Sequence, residues 1–299
     1  MSARKIACWV LLIGVISLGL YWYPKDWWAS AFIAGLYDAL AAGLIAISLT
    51  VLLIDNANEQ RGARQLKKRL TWEMGSNDQA FAIRAAKEMR DTGWLTDGSL
   101  ADADLTLANL EGAQLPGAVL KGAIFTQANL NSANLEDADL RSASLHQVVA
   151  GKVNLRRARL GGARFLNAKL HEAILDEVVG ADGETGVDML NSKLAGAKLR
   201  NATLRNARLE DCDFLGADFT GCDLTGSLLL RANMRSAILN DVILERADLS
   251  ELKNWEAITE FRNARIGGVR NAPAGFREWA VANGALEVPT DSVPDARTV

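Results

Sequence analysis

Large apolar residues recur every five positions through the middle of the chain. They fall at Leu105, Leu110, Leu115, Leu120, Phe125, Leu130, Leu135, Leu140 and Leu145, and again at Leu155, Leu160, Phe165, Leu170 and Leu175. Two residues before nearly every one sits alanine, from Ala103 to Ala143 and from Ala158 to Ala173. A period of five matches neither an amphipathic helix nor a strand. Self-similarity at a short fixed period points to a solenoid, in which each unit covers the core of the next.

Two irregularities interrupt the series. Residues 146–151 (HQVVAG) keep the phase without a leucine, and around 181–186 (ADGETG) the phase slips by one. The pattern restarts at Val187-Asp188-Met189 and continues through Leu194, Leu199, Leu204, Leu209, Phe214, Phe219, Leu224, Leu229, Met234, Leu239, Leu244 and Leu249. A short turn at 181–186 would absorb the slip, read here as a tolerated insertion rather than a binding loop.

The unit A-(D/N)-L-x-x, seen in ANLEG, ANLNS, ADLRS and ADLSE, resembles the pentapeptide repeat family. The resemblance implies a mainly β fold, a right-handed quadrilateral β-helix with one pentapeptide per side and four per coil. The central Leu or Phe and the small residue two before it would point inward.

Charge supplies a separate check on four units per coil. Residues stacked one strand spacing apart should avoid like charges and favour opposite ones. At a separation of 20 within 102–177 and 188–251, eleven charged pairs are opposite and one, Lys121 with Arg141, is like; at 15 and at 25 the split is five to three. The ladders read Glu136–Arg156–Asp176, Asp137–Arg157–Glu177, Asp139–Arg159, Lys152–Glu172, Lys193–Asp213, Lys198–Asp218 and Asp211–Arg231–Glu251. Seven to eight coils are expected over residues 100–270.

The flanks differ from the repeats. Residues 6–23 form an uncharged apolar run long enough to span a bilayer, and a second run covers roughly 27–54. Tyr21, Trp22, Tyr23, Trp27 and Trp28 cluster between them as an interfacial belt would. No small-x-small cleavage site ends the first run, so residues 1–55 are expected to be a transmembrane hairpin rather than a signal peptide. Arg4 and Lys5 precede the first span and Arg61, Arg64, Lys67, Lys68 and Arg69 follow the second, against Lys25 alone in the turn. That bias puts both termini and the repeats in the cytoplasm, in a multi-pass protein of a bacterial-type inner membrane. The same five basic residues are placed to touch anionic lipid headgroups. Asp38 lies inside the second span beside Gly35, Ala39, Ala42, Gly43 and Ala46. A small-residue face of this kind suits helix or subunit association, hence a homo-oligomer, more than an ion path.

Residues 56–99 are expected to hold a juxtamembrane helix ended by Gly75 and an N-terminal capping helix. That second helix opens on a Ser76/Gln79 capping box, carries Phe81, Ala82, Ala85, Ala86 and Met89 on one face, and stops at Gly93, before Trp94 and Leu95. After Leu249 the period fails, save for the unit Ala264-Arg265-Ile266. Over 271–285, Pro273 is expected to open a C-terminal capping helix running to about Asn283, with Phe276, Trp279 and Ala280 toward the last coil. Residues 286–299 read as a disordered tail.

Composition narrows the function. The 299 residues carry a net charge of −3, and residues 101–270 balance 20 Lys and Arg against 23 Asp and Glu. A nucleic-acid partner, which would call for a basic face, is therefore not expected. Three cysteines make no disulfide framework, and Cys212 and Cys222 occupy the small inward position. His146 and His171 are twenty-five residues apart with no partner of metal-site type, and no phosphate loop is present. No catalytic, cofactor or metal residues are assigned and no enzyme is expected. A basic band, 152–169, and an acidic band, 210–223, are read as rungs of the ladders before they are read as binding patches. The expected function is a membrane-anchored scaffold whose rigid β-helical surface meets another, unidentified protein. Two alternatives are a DNA-mimicking inhibitor or protector of a type II topoisomerase, which would need an acidic rod, and a membrane transport or signalling component, which would rest on Asp38.

Overall fold

The computed structural model describes residues 3–20, 31–183 and 185–287; some side chains of the first two helices and that of residue 182 are outside this description. The elements in order are α1 (Ala3–Leu20), α2 (Ala31–Met74), α3 (Gln79–Asp91), a two-residue hairpin of β1 (Ala181–Asp182) and β2 (Thr185–Gly186), a 3-10 turn (Trp255–Ala257) and α4 (Phe276–Ala282). The chain divides into two compact units, Met1–Lys68 and Arg69–Val299.

In the first unit, α1 and α2 present apolar side chains outward. Trp9 is 60 %, Leu40 60 %, Ile47 62 % and Leu53 61 % exposed. Among the described residues one helix, Ala42–Met74, is long and apolar enough to cross a membrane. The aromatic cluster at 21–28 and the tail at 288–299 lie outside the described residues.

The second unit is a four-walled β-helix. Each wall is a column of single-residue parallel bridges. Wall 1 runs Asp104, Ile124, Ser144, Arg164, Asp188, Arg208, Leu228, Asp248, Arg270. Wall 2 starts at Asn109, wall 3 at Gln114 and wall 4 at Val119. Most bridging residues come immediately before a central Leu or Phe; elsewhere the next residue is another, as Met189 after Asp188 and Ala150 after Val149. The bridging amide donates to the coil below and the next amide donates to the coil above, as in Ile124 to the Ala103 carbonyl (2.9 Å) and Phe125 to the Ser144 carbonyl (2.7 Å). The spacing between partners is twenty residues, so the charge argument and the backbone agree on four units per coil.

Chemistry at each unit explains the five-residue grammar. The central residue and the alanine two before it point inward and are essentially fully buried from Leu105 to Leu249. A tight turn links successive walls, with Ala108 N–H donating to the Leu105 carbonyl (3.1 Å) and its equivalents around the rod. The second residue after each central one takes a positive φ near 55–70°, a conformation that suits Gly, Asn and Asp. Asp or Asn before the central residue accepts the amide two residues on, as Asp104 does from Thr106 (3.0 Å), Asn154 from Arg156 (3.0 Å) and Asp223 from Thr225 (3.0 Å). These side-chain turns pre-form the corners where Asp or Asn stands, which is why the unit so often reads A-(D/N)-L.

The slip near 181 is a four-residue insertion. Partners there are 24 apart, as in Arg164 with Asp188, and the spacing returns to 20 above it. The surplus forms the β1–β2 hairpin, which folds back over the coil below: a side chain at Gly162 would meet the Thr185 methyl at 3.5 Å. Gly180 takes the place of a central leucine, and its missing side-chain volume is filled from Leu204 and Val187.

Both ends differ from the sequence reading. The N-terminal lid includes Leu70 and Met74 of α2, both 0 % exposed, with Ala82, Ala85, Ala86 and Met89 of α3. The cap of α3 is Asp78, not Ser76. Its carboxylate accepts from Ala80 and Phe81, while the Ser76 hydroxyl accepts from Asp78 N–H. Phe81 does not join the buried face; it is 51 % exposed beneath the Arg84 guanidinium. Leu95 and Leu100 extend the five-residue series backwards into the core. At the other end the helix is shorter than expected, because Pro273 and Gly275 form a turn before α4, with Gly275 at φ 82°. One further coil follows Leu249: a two-residue surplus at the 3-10 turn stretches the spacing to 22, as in Ile238 with Glu260. Trp255 then meets Phe276 and Trp279 edge-on, and Phe261 meets Phe276 edge-on and Trp279 at a tilt, with centroids 5.1–6.2 Å apart. Leu286, assigned above to the tail, closes the ladder instead by donating to the Ala264 carbonyl (2.7 Å).

Candidate functional site

With the shaft filled by leucine, phenylalanine and alanine, the outer walls are what the rod offers to a partner. Their charges are largely spent on one another. Arg157 bridges Asp137 and Glu136 (2.7 Å each), Arg156 pairs with Glu177 (2.8 Å) and Arg231 with Asp211 (2.7 Å). Asp188–Arg208 (3.0 Å), Lys152–Glu172 (3.6 Å) and Asp139–Arg159 (4.0 Å) follow the twenty-residue spacing too. Glu136–Arg156, Arg156–Asp176 and Arg157–Glu177 are replaced by diagonal pairs, because Arg reaches the neighbouring corner position as readily as the one above. Asp176 instead meets Arg200 (2.8 Å) across the insertion, 24 residues on. Arg141, the one stacked like charge, turns into its own coil and grips Asp139 (2.6 Å). The arginine contacts hold the Asp137, Asp139 and Asp211 carboxyls below their ordinary range.

The basic and acidic bands therefore serve mainly as struts. From the basic band Lys152, Arg156, Arg157 and Arg159 are paired; from the acidic band Glu210 lies 3.5 Å from Arg208 and Asp223 pairs with Arg205. Elsewhere on the rod lie uncharged ladders of side-chain amides, as in Asn129 to Asn109 (3.2 Å), Gln127 to Gln147 (2.8 Å) and Asn191 to Asn167 (2.7 Å).

Cys212 and Cys222 are buried free thiols. Burial pushes the Cys212 thiol up to about 12 and raises that of Cys222 as well, so neither ionises near neutrality. Among the described residues no group of three or more His, Cys, Asp or Glu could hold a metal ion. His146 Nε2 is buried without a hydrogen-bond partner among the described residues. Asp38 lies within α2, and its side chain is outside the described residues.

The grammar of the coil defines a class, the repeat solenoids built from five-residue units. Eight copies of the pentapeptide repeats match, over residues 103–141, 151–178, 188–226 and 212–251, and the chain belongs to the pentapeptide repeat family. Solved structures include similar proteins. HetL, a pentapeptide repeat protein involved in heterocyst differentiation regulation in the cyanobacterium Nostoc sp., is 26% identical over 57% of this chain and 80% of its own, with a TM-score of 0.31. QnrB1, a plasmid-mediated fluoroquinolone resistance protein, is 17% identical over 57% of this chain and 84% of its own, with a TM-score of 0.41. A pentapeptide repeat protein of the Arabidopsis thaliana thylakoid lumen is 25% identical over 42% of this chain and 64% of its own, with a TM-score of 0.17. No curated protein sequence matches the chain.

Proposed function

We propose that this protein is a non-catalytic scaffold, anchored in a bacterial-type inner membrane by two N-terminal helices, that holds a rigid, right-handed β-helical rod on the cytoplasmic side for another protein to bind. The observation that carries this reading is the filled shaft: from Leu105 to Leu249 the inward positions are closed over, so recognition falls to the outer walls. The outward apolar side chains of α1 and α2 support the anchor. Trp9, Leu12, Ile13, Ile47 and Leu53 are each about half exposed or more, a surface that water penalises and lipid does not. The basic residues Arg61, Arg64, Lys67, Lys68 and Arg69 fit a cytoplasmic leaflet of anionic headgroups.

Fractionation with alkaline carbonate tests the anchor, and crosslinking in native membranes with mass spectrometry tests the scaffold. The account expects the chain in the carbonate-resistant pellet and a reproducible protein adduct on the rod. Release into the supernatant would overturn the anchor. Inhibition of gyrase supercoiling by the purified protein would favour the topoisomerase alternative instead.

A further inference from the structure

The first coil carries acidic side chains that no nearby cation answers. Residues 91–120 contain Asp91, Asp97, Asp102, Asp104 and Glu111 and no Lys or Arg. Farther along, most carboxylates answer an arginine or lysine on the same or a neighbouring coil, as Asp137 does with Arg157, Glu172 with Lys152 and Asp211 with Arg231. In the first coil the residues above Asp102 and Asp104 are Gly122 and Ile124, and among the described residues no cation pairs with Asp102, Asp104 or Glu111. Two apolar side chains stand out in the same place. Trp72 is 79 % exposed and Leu107 56 % exposed, and Leu107 does so at φ 60°, where a leucine side chain is disfavoured. Both line a cleft of about 470 Å³, together with Gly75, Asn77, Asp104 and Thr106. The cleft is held open by a small residue: a side chain at Gly75 would meet the Asp104 carbonyl at 3.1 Å. The Asp104 carboxyl is held below its ordinary range by the Thr106 hydroxyl and amide, so it stays charged at neutral pH.

We infer that this cleft at the N-terminal end of the rod docks an Arg- or Lys-bearing segment of the protein partner, with Trp72 and Leu107 packing against its apolar residues and Asp104 facing its cation. This rests on the scaffold reading and names the surface it would use. An indole face beside a carboxylate is a strong receptor for a guanidinium or ammonium group. Exposed Trp at a cleft rim is also the residue type that dominates binding energy at interfaces. Asp102, Asp104 and Glu111 repel an anionic lipid surface, which argues against the membrane as occupant.

The test has two arms, both on the full chain. In detergent, a fluorescein-labelled peptide of alternating Arg and Leu should bind, and a Glu-for-Arg version should not. Trp72→Ala and Asp104→Asn should each weaken binding by about tenfold, while Asp241→Asn, at the far end of the rod, leaves it unchanged. Equal binding by all variants would overturn the inference. In native membranes, a benzoylphenylalanine crosslinker replacing Asn77 at the cleft should capture a protein through a peptide containing Arg or Lys. A lipid adduct, a second copy of this chain, or no adduct would each overturn it. The same crosslinker replacing Leu215 separates the two readings. Adducts at 215 but not at 77 would remove the cleft and leave the scaffold; none at either position would remove both.

Discussion

At the scale of the residue, the account depends on which positions have room. Ala163 is fully buried beside the stacked central residues, and Ala163→Phe forces a ring into a shaft already filled. The expected loss is about 3 kcal/mol or more, read as a lower urea midpoint; an unchanged midpoint would contradict the inward placement. Gly221 makes a sharper case. Its φ is 70°, and an added side chain would meet Asn201 Oδ1 at 2.5 Å. Gly221→Ala should cost roughly 1 kcal/mol for the backbone alone, plus the clash, and Asn201→Ala in the same chain should recover only the clash. Chemical denaturation of the two single variants and the double variant checks this.

The charged rungs give a pH dependence of defined sign. The folded pKa values of Asp137, Asp139 and Asp211 are depressed, chiefly by hydrogen bonds from Arg157, Arg141 and Arg231. The unfolded chain therefore takes up protons first. The stabilisation is fully present above about pH 5, around and above the ordinary carboxylate pKa, and is lost as pH falls through the depressed folded values. Urea titrations at pH 7, 4 and 2.5 should show midpoints falling with pH, and Asp137→Asn with Asp211→Asn should flatten that slope. An equal slope in the double variant would deny the rungs a role.

At the scale of the element, the repeats were legible because burial repeats with them; every Leu and its Ala report the same inward direction. The ends were not, because capping depends on single contacts rather than on a period. Ser76 and Asp78 are both good caps by type, and only the start of α3 at Gln79 decides for Asp78. Phe81 reads as core by hydropathy, yet the lid takes the small Ala82, Ala85 and Ala86 and leaves the large ring outside. Trp255 and Phe261 sit outside the series in sequence and join the cap through space. Trp255→Ala should raise amide hydrogen exchange in the last coil and in α4 while leaving the first coils protected, since each coil leans only on its neighbours. Uniform loss of protection would contradict that locality. The hairpin behaves oppositely. Deleting residues 182–185 removes the four-residue surplus and restores a twenty-residue turn, so the melting transition should stay cooperative; its collapse would make the hairpin part of the fold rather than an insertion.

At the scale of the whole molecule, the surfaces exist only because the turn closes after four units. The walls, the charge rungs and the cleft at the first coil all depend on residues twenty apart standing one above the other. The family and its core were readable from the chain. The first-coil cleft was not, because Trp72 and Leu107 belong to different periodic patterns and meet only once the lid is folded. The most direct measurement is a pair of deletions followed by urea unfolding. Removing residues 126–145 takes out one complete turn and keeps every wall in register. Removing residues 126–140 keeps the five-residue phase but rotates all later walls by one side. The account predicts a single cooperative transition for the first and its loss, or a midpoint far lower, for the second. Equal behaviour of the two deletions would contradict it.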